Sequence, residues 1–183
     1  MSVKLFIAVW VLILSGCSAT SNVSLNQIDI AQGVTLQLTA PDSTLVNHSK
    51  QQLLTITHNG NVNQLLTRLE LTEKGLNLVA VSPQGLPLFS LVFVEGQALQ
   101  QKKYVEVDML PLAYIISDIQ LVYWPVKQLN EAIIGAKIVE HHEGKERVIE
   151  SKGKVVIRIN KGSDNISFRH LQRGYQLTIS PVE

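Results

Sequence analysis

Apolar and polar residues alternate along most of the chain after residue 33, which is the period of a β-strand with one buried face. Asn59-Gly60 and Pro83-Gln84-Gly85 separate such segments and match a type I′ and a type II turn, respectively. Consecutive strands joined by tight turns predict a run of antiparallel hairpins. The segments with strand character are residues 34–39, 51–58, 65–71, 76–82, 86–94, 97–107, 137–142, 147–151, 154–160, 166–170 and 175–179.

The period changes to that of a helix between two groups of predicted strands. Leu112, Ile115 and Ile119 recur at the spacing of one helix face. Residues 125–134 predict a second, short helix, with proline at its first position and Gly135 placed to end it.

A sheet of consecutive hairpins twists and curls, and apolar helix faces must be buried against another element. For residues 27–183 we therefore predict a mainly β, α+β fold: a single strongly curved antiparallel half-barrel sheet with a two-helix lid. Residues 76–81 and 86–93 are apolar on both strand faces, so we expect both faces to be covered. Either a second layer of ordinary packing or the wall of an apolar cavity would explain this pattern.

The first residues have the order of an export signal. Lys4 precedes an unbroken apolar run, residues 5–14, which is shorter than the roughly 20 residues of a membrane-spanning helix. Leu14-Ser15-Gly16-Cys17 follows and resembles the lipobox of bacterial lipoproteins, in which the cysteine thiol carries the lipid. We predict a signal peptide at residues 1–16, lipidation of Cys17 and a flexible tether over residues 17–26. The alternatives are a plain secretory signal and an anchor helix with a chance cysteine.

The resemblance to bacterial lipoproteins also implies a location. In the enterobacterial sorting rule, an aspartate after the lipidated cysteine favours retention in the inner membrane. Ser18 stands at that position. The implied location is therefore the periplasmic face of the outer membrane of a Gram-negative bacterium, with the membrane itself contacted through the lipid anchor.

Charge and cysteine content restrict the possible partners. The chain has 16 Lys and Arg residues against 15 Asp and Glu residues. Because there is no basic stripe either, nucleic acid is not an expected partner. Cys17 is the only cysteine, which excludes an intramolecular disulfide.

No residue pattern indicates catalysis, a metal site or a cofactor. The sequence contains no HExxH motif, no G-x-S-x-G elbow and no glycine-rich phosphate loop. His141 and His142 are adjacent on a predicted strand and would point to opposite faces, and all five histidines are expected at the surface.

We interpret Asp108 and Asp118 as a helix cap and a solvated helix position. The charged stretch 141–154 is interpreted as a solvated hairpin, with a docking surface as the alternative.

Two motifs carry a resemblance to a known family. Residues 76–85 (LNLVAVSPQG) stand where the family has a strand that ends in an Asn-Pro-Leu-Gly turn. Residues 124–135 (WPVKQLNEAIIG) are similar to its Pro-apolar-x-x-Leu…Ile-x-Gly helix. Over about residues 51–135 the chain thus resembles LolB, the outer-membrane receptor for lipoproteins, and the wider family of half-barrels with a helical lid. It also resembles a group of LolB-like lipoproteins encoded beside aryl-polyene pigment genes.

The resemblance implies a module that binds or transfers a lipid-like or acylated cargo, such as an aryl-polyene pigment lipid, in an apolar cavity. Gln84 stands where the receptor has a leucine that engages the membrane. Leu86 is either the replacement for that leucine or a buried strand residue. This departure favours a relative with different cargo over receptor activity. A non-enzymatic scaffold lipoprotein that anchors a protein complex is the alternative function. The residues expected to line the cavity are Leu65, Leu69, Leu78, Phe89, Leu91, Phe93, Ile116 and Ile133.

Overall fold

The computed structural model describes residues 26–105 and 111–182. The predicted signal peptide, Cys17 and the tether up to residue 25 lie outside these ranges, as does Asp108. Most of the described chain is β-strand, which confirms the mainly β fold class. The strands are β1 Gln27–Ala31, β2 Val34–Gln37, β3 Ser49–His58, β4 Asn61–Thr72, β5 Gly75–Val81, β6 Pro87–Val94, β7 Gln100–Lys103, β8 Ile133–Ile134, β9 Lys137–His141, β10 Glu146–Ser151, β11 Lys154–Lys161, β12 Ile166–His170 and β13 Tyr175–Pro181.

The main structural unit is an antiparallel sheet of ten strands in the order β7-β6-β5-β4-β3-β13-β12-β11-β10-β9. Each neighbouring pair is a hairpin except β3 and β13, which pair along their length and join the two hairpin runs into one sheet. Asn59 and Gly60 both have positive φ, as the predicted type I′ turn between β3 and β4 requires. The hairpin pattern of the sequence is therefore confirmed.

Two α-helices lie between the hairpin runs in the described part of the chain: α1, Leu112–Tyr123, and α2, Val126–Ala132. Helix α2 is shorter than predicted because Ile133 and Ile134 leave the helix and pair as β8 with β2. Strands β1, β2 and β8 form a separate three-stranded sheet. Gly135 ends this segment with positive φ, and a Cβ there would lie 2.0 Å from the carbonyl oxygen of Gly33, so the close approach of the two turns requires glycine.

Alternate residues of the large sheet differ sharply in burial on β5 and β6. Leu78 and Leu91 are buried, and with Leu54 and Leu177 they mark what we call the covered face. On the opposite side, which we call the open face, Val79 is 46% exposed. The expectation that both faces of these strands are covered is therefore wrong, because the apolar residues of the open face have no second layer over them among the described residues. The open face also carries the half-buried Leu66 and Val81 and the exposed Val182.

Helix α1 lies against the covered face and buries most of its residues. Its end is fixed to the segment that follows β2. The Trp124 indole donates to the carbonyl oxygen of Ala40 (3.0 Å), and the Gln120 side chain donates to the carbonyl oxygen of Thr39 (3.0 Å) and accepts from its amide (3.2 Å). No helix within residues 26–105 and 111–182 is long and apolar enough to cross a membrane.

Candidate functional site

All of the side chains predicted to line a cavity are buried in a single apolar core. The least buried of them, Ile133, is 8% exposed. They come from β4, β5, β6, α1 and β8, so the structure brings together residues that are distant in the sequence. They belong to a larger cluster of buried apolar side chains that fills the space between α1 and the sheet.

A small cavity remains between α1 and the covered face. Its volume is about 30 Å³, about the share of liquid volume that one water molecule takes. Leu78 is the one predicted lining residue that borders it. The other residues around it are Leu54, Thr67, Gln52, Ile115, Asp118, Ile119, Tyr123, Leu177 and Ile179. Pockets that hold small molecules are typically about ten times larger or more. An acyl chain therefore has no room in this cavity as long as α1 keeps its position.

Among the residues that the structure describes, Asp118 is the only carboxylate that borders this cavity, and it is 3% exposed. Its Oδ2 accepts a hydrogen bond of 2.7 Å from the Tyr175 hydroxyl on β13. Burial raises the pKa of Asp118 to about 8, although the bond from Tyr175 and the charge of Arg173 act in the opposite direction. The interpretation of Asp118 as a solvated position is therefore wrong. Its spacing from Ile115, three residues, was a signal that it shares the buried helix face.

Tyr175 is buried in the core, and the centre of its ring lies 5.0 Å from that of His170. Burial raises the pKa of the Tyr175 hydroxyl, which therefore remains a donor. The backbone amide of Arg173 donates to Nδ1 of His170 (3.2 Å), so the ring proton is on Nε2, which donates to the carbonyl oxygen of Ile30 (2.6 Å). Burial lowers the pKa of His170. The expectation that all histidines lie at the surface is thus wrong for His170, which is 1% exposed because it bridges β12 to β1.

The cavity has a polar rim at the C-terminal end of α1. The side-chain amide of Gln52 donates to the Tyr123 hydroxyl, and the Lys50 ammonium lies 5.4 Å from the centre of the Tyr123 ring. Thr67 faces Gln52 across β3 and β4 and donates to its carbonyl oxygen (3.2 Å). Burial raises the pKa of Tyr123.

Arg147 fixes the same end of α1 from β10. Its guanidinium donates to the carbonyl oxygen of Leu121, where the helix leaves backbone acceptors without helical partners, and to Glu140 at 2.7 Å. Arg147 is almost fully buried, so the interpretation of stretch 141–154 as a solvated hairpin is wrong at this residue. The sequence of β10 gives no signal for this burial, because it depends on a neighbouring helix under which the long arginine side chain reaches.

The turn between β5 and β6 presents Leu86 to solvent. Leu86 is 64% exposed and precedes the first residue of β6, so it is not a buried strand residue. The Ser82 hydroxyl accepts from the backbone amides of both Gln84 and Leu86 at 3.3 Å, which holds the turn in one conformation. Positive φ occurs at Gly85 and not at Gln84, so the predicted type II geometry is wrong. The role of Gln84 and Leu86 at a membrane stays a prediction.

A groove on the open face was not predicted from the sequence. It has a volume of about 300 Å³ and lies over β3, β4 and β5. Its lining combines the apolar Leu66, Val79, Val81 and Val182 with Gln51, Gln52, Thr67 and Arg68. Arg68 forms an ion pair with Glu70 (2.9 Å) beside the groove.

Within the described ranges, no group of three or more His, Cys, Asp or Glu residues is placed to hold a metal ion. The polar residues of the α1–sheet interface instead form pairs that bridge two elements: Asp118 with Tyr175, and Gln52 with Tyr123.

A family model described as "Protein of unknown function (DUF3261)" matches residues 49–183, which begin at β3 and include the whole ten-stranded sheet and both helices. A comparison with curated proteins finds no match.

Proposed function

This chain belongs to the DUF3261 family of proteins of unknown function, and from its sequence and geometry together we propose that it is an outer-membrane lipoprotein, anchored through Cys17, that binds or transfers a lipid-like or acylated molecule. In this proposal the ten-stranded sheet is a curved half-barrel of the LolB type, and helices α1 and α2 are its lid. The observation that carries the proposal is the interface between α1 and the covered face, which is apolar, already contains a cavity and is crossed by few polar bonds.

Binding an acyl chain requires α1 to move away from the sheet. The bonds between neutral groups that link α1 to the sheet are worth about 1 kcal/mol net each, and the bond from the charged Arg147 to the carbonyl oxygen of Leu121 is worth about 1.5–3 kcal/mol. Burying roughly fifteen methylene groups supplies about 12 kcal/mol at about 0.8 kcal/mol each. A chain that takes the place of the α1 side chains on the covered face can therefore offset both the broken bonds and much of the lost packing. Leu78 and Ile119, which border the cavity, would then contact the cargo.

The exposed Leu86 supports the membrane side of the proposal. It lies at a rigid turn at the end of β5 and β6 and provides an apolar group that could enter a bilayer. Contact of this turn with the membrane would place the sheet next to the source or the destination of a lipid cargo.

Native mass spectrometry tests the proposal directly. The mature protein is extracted from outer membranes, and a Cys17→Ala form, exported with a cleavable signal, serves as the control that lacks a covalent lipid. We expect a non-covalent adduct of lipid mass on both forms. An Ile119→Trp variant, which fills the cavity from α1, should lose the adduct, whereas Val79→Trp on the open face should keep it. The absence of an adduct from every form would contradict the proposal.

The groove on the open face favours a second candidate function, a scaffold lipoprotein that anchors a protein complex. Its apolar lining is open to solvent and continuous with the sheet, which suits a protein partner rather than an enclosed ligand. In-cell cross-linking tests this candidate. Val79→Arg should abolish a cross-linked partner, and Asn77→Arg, on the same face of β5 but outside the groove, should retain it.

A further inference from the structure

We propose that Asp118 and Tyr175 are the polar contact of the cargo site, and that they bind an uncharged hydrogen-bonding group, a hydroxyl or an amide, of an otherwise apolar molecule. This inference rests on the proposed function and names the class of cargo that the site would take.

The first argument is the position of the pair. The Asp118 carboxyl borders the cavity, and the other α1 side chains at this level are isoleucines. The opposite wall consists of leucine and isoleucine side chains from β3, β5 and β13, and its polar residues, Gln52 and Thr67, belong to the rim at the C-terminal end of α1. A carboxyl group in an apolar wall is expensive unless it is hydrogen-bonded. Here its bond comes from Tyr175, which belongs to the sheet and not to the helix.

The second argument follows from the division of the pair between two elements. If α1 moves away to admit cargo, Asp118 moves with it and Tyr175 stays on β13. Both groups then lose their partner inside an apolar space. A hydroxyl or amide group of the cargo can donate to one and accept from the other, which restores both bonds. A purely aliphatic cargo cannot do so.

The third argument concerns charge. Among the residues that the structure describes, no cationic side chain forms an ion pair with Asp118. The Arg173 guanidinium acts on the carboxyl from a distance, because it stacks on the Tyr114 ring (3.7 Å to the centroid) and donates to the carbonyl oxygen of Asp29. Another titratable neighbour, His170, favours its neutral form because burial lowers its pKa. With the pKa of Asp118 at about 8, the carboxyl is protonated at neutral pH and suits an uncharged group.

Stability alone does not require this pair. Replacing both partners of a buried hydrogen bond by apolar groups of the same shape can be nearly neutral or stabilising. The competing role is purely structural: the bond fixes the register of α1 on the sheet. The two roles differ in whether removal of the pair changes the selectivity for the cargo.

The experiment measures displacement of the uncharged dye N-phenyl-1-naphthylamine from the full mature protein by 1-dodecanol and by dodecyl phosphate. The readout is the ratio of the two concentrations that displace half of the dye. In the wild type this ratio should show that the alcohol displaces the dye at a lower concentration than the phosphate does. For Asp118→Leu we expect this preference for the alcohol to fall about tenfold, the typical effect of one lost buried hydrogen bond. Tyr175→Phe, a smaller change, should lower it about fivefold. Asp118→Asn, which can still donate and accept, should retain the wild-type ratio.

Ser117→Ala is the matched control, because Ser117 is also buried on α1 but bonds only to the carbonyl oxygen of Tyr114 (2.8 Å). Its ratio should equal that of the wild type. An unchanged ratio in both Asp118→Leu and Tyr175→Phe would overturn the inference and leave the proposed function intact. Failure of the wild-type protein to bind the dye or either amphiphile would overturn both. If Asp118→Leu does not fold, Tyr175→Phe decides alone.

Discussion

The two faces of β5 have the same apolar character and opposite environments. Leu78 is 3% exposed and Val79, the next residue, is 46% exposed. A two-residue period places them on opposite sides of the sheet, and only one side has helices over it. Apolar composition therefore does not reveal which face is the core. The covered face offers an interior that can take cargo if α1 moves, and the open face offers a surface that a partner can reach without any movement.

The two faces should differ most in the free energy of unfolding when Leu78 and its neighbour Val79 on β5 are each truncated to alanine. Leu78→Ala removes buried methyl and methylene groups beside an existing cavity and should lower the free energy of unfolding by about 3–4 kcal/mol. Val79→Ala should lower it by less than about 1 kcal/mol, because its side chain is largely solvated already. Urea unfolding followed by circular dichroism measures both values. Equal losses would mean that a second layer covers the open face.

A smaller effect should come from the residue that fixes α1 over the covered face. Arg147→Met leaves the carbonyl oxygen of Leu121 without its donor and removes one of the two cationic partners of Glu140, the other being Lys161, which should destabilise the protein by about 3 kcal/mol. Arg158→Met is the control: Arg158 also pairs with a glutamate, Glu146, but its side chain is largely exposed, so the loss should be below about 1 kcal/mol. A loss for Arg147→Met no larger than that of the control would refute the anchoring role.

The covered face should also make stability depend on pH through Asp118. The pKa of the Asp118 carboxyl is about 8 in the folded protein and 3.8 is its ordinary value, so between these values the folded state holds one proton more than the unfolded state. The free energy of unfolding should therefore fall as pH rises from 4 to 8, by up to about 1.4 kcal/mol per pH unit. His170, whose pKa burial lowers, acts in the opposite direction below its ordinary value of 6.5.

Comparison with Asp118→Asn isolates the contribution of Asp118, because His170 is the same in both proteins. Urea unfolding at half-unit pH steps from 5 to 8 should give the wild type a steeper decline than the variant. Parallel curves would show that Asp118 titrates normally, which would remove the argument for a protonated carboxyl in the cargo site.

The sequence predicted the hairpins and α1 well because these depend on local periods. Residues 166–170, predicted as a strand, are the whole of β12, and the predicted type I′ turn at Asn59-Gly60 forms. It could not predict β8, because Ile133 and Ile134 continue the pattern of α2 and leave it only to pair with β2, which is distant in the sequence. Long-range pairing of this kind overrides local propensity.

The candidate site was predictable only in its apolar part. The predicted lining residues share one core because apolar spacing reports burial. Asp118, Arg147 and His170 were assigned to solvent because charged or polar residues are seldom fully buried. Each is buried because one specific partner on another element satisfies it: Tyr175, the carbonyl oxygen of Leu121, and the carbonyl oxygen of Ile30. Such partners depend on the tertiary structure and have no signal in a single sequence.

The smallest effect on stability should come from Leu86, which lies in an exposed turn outside the core. Its substitution tests whether this turn contacts a membrane. Leu86→Ser alters an exposed turn and should change the free energy of unfolding by less than about 0.5 kcal/mol. If the turn enters a bilayer, the same change should weaken the binding of the lipid-free domain to anionic liposomes up to about tenfold, because a leucine that leaves water contributes about 1.5 kcal/mol or more. Gln84→Ser, in the same turn but without an apolar group, should bind as the wild type does. Equal binding by the wild type and both variants would show that this turn does not contact the membrane, and the proposal of cargo exchange at a bilayer would then depend on the lipid at Cys17 alone.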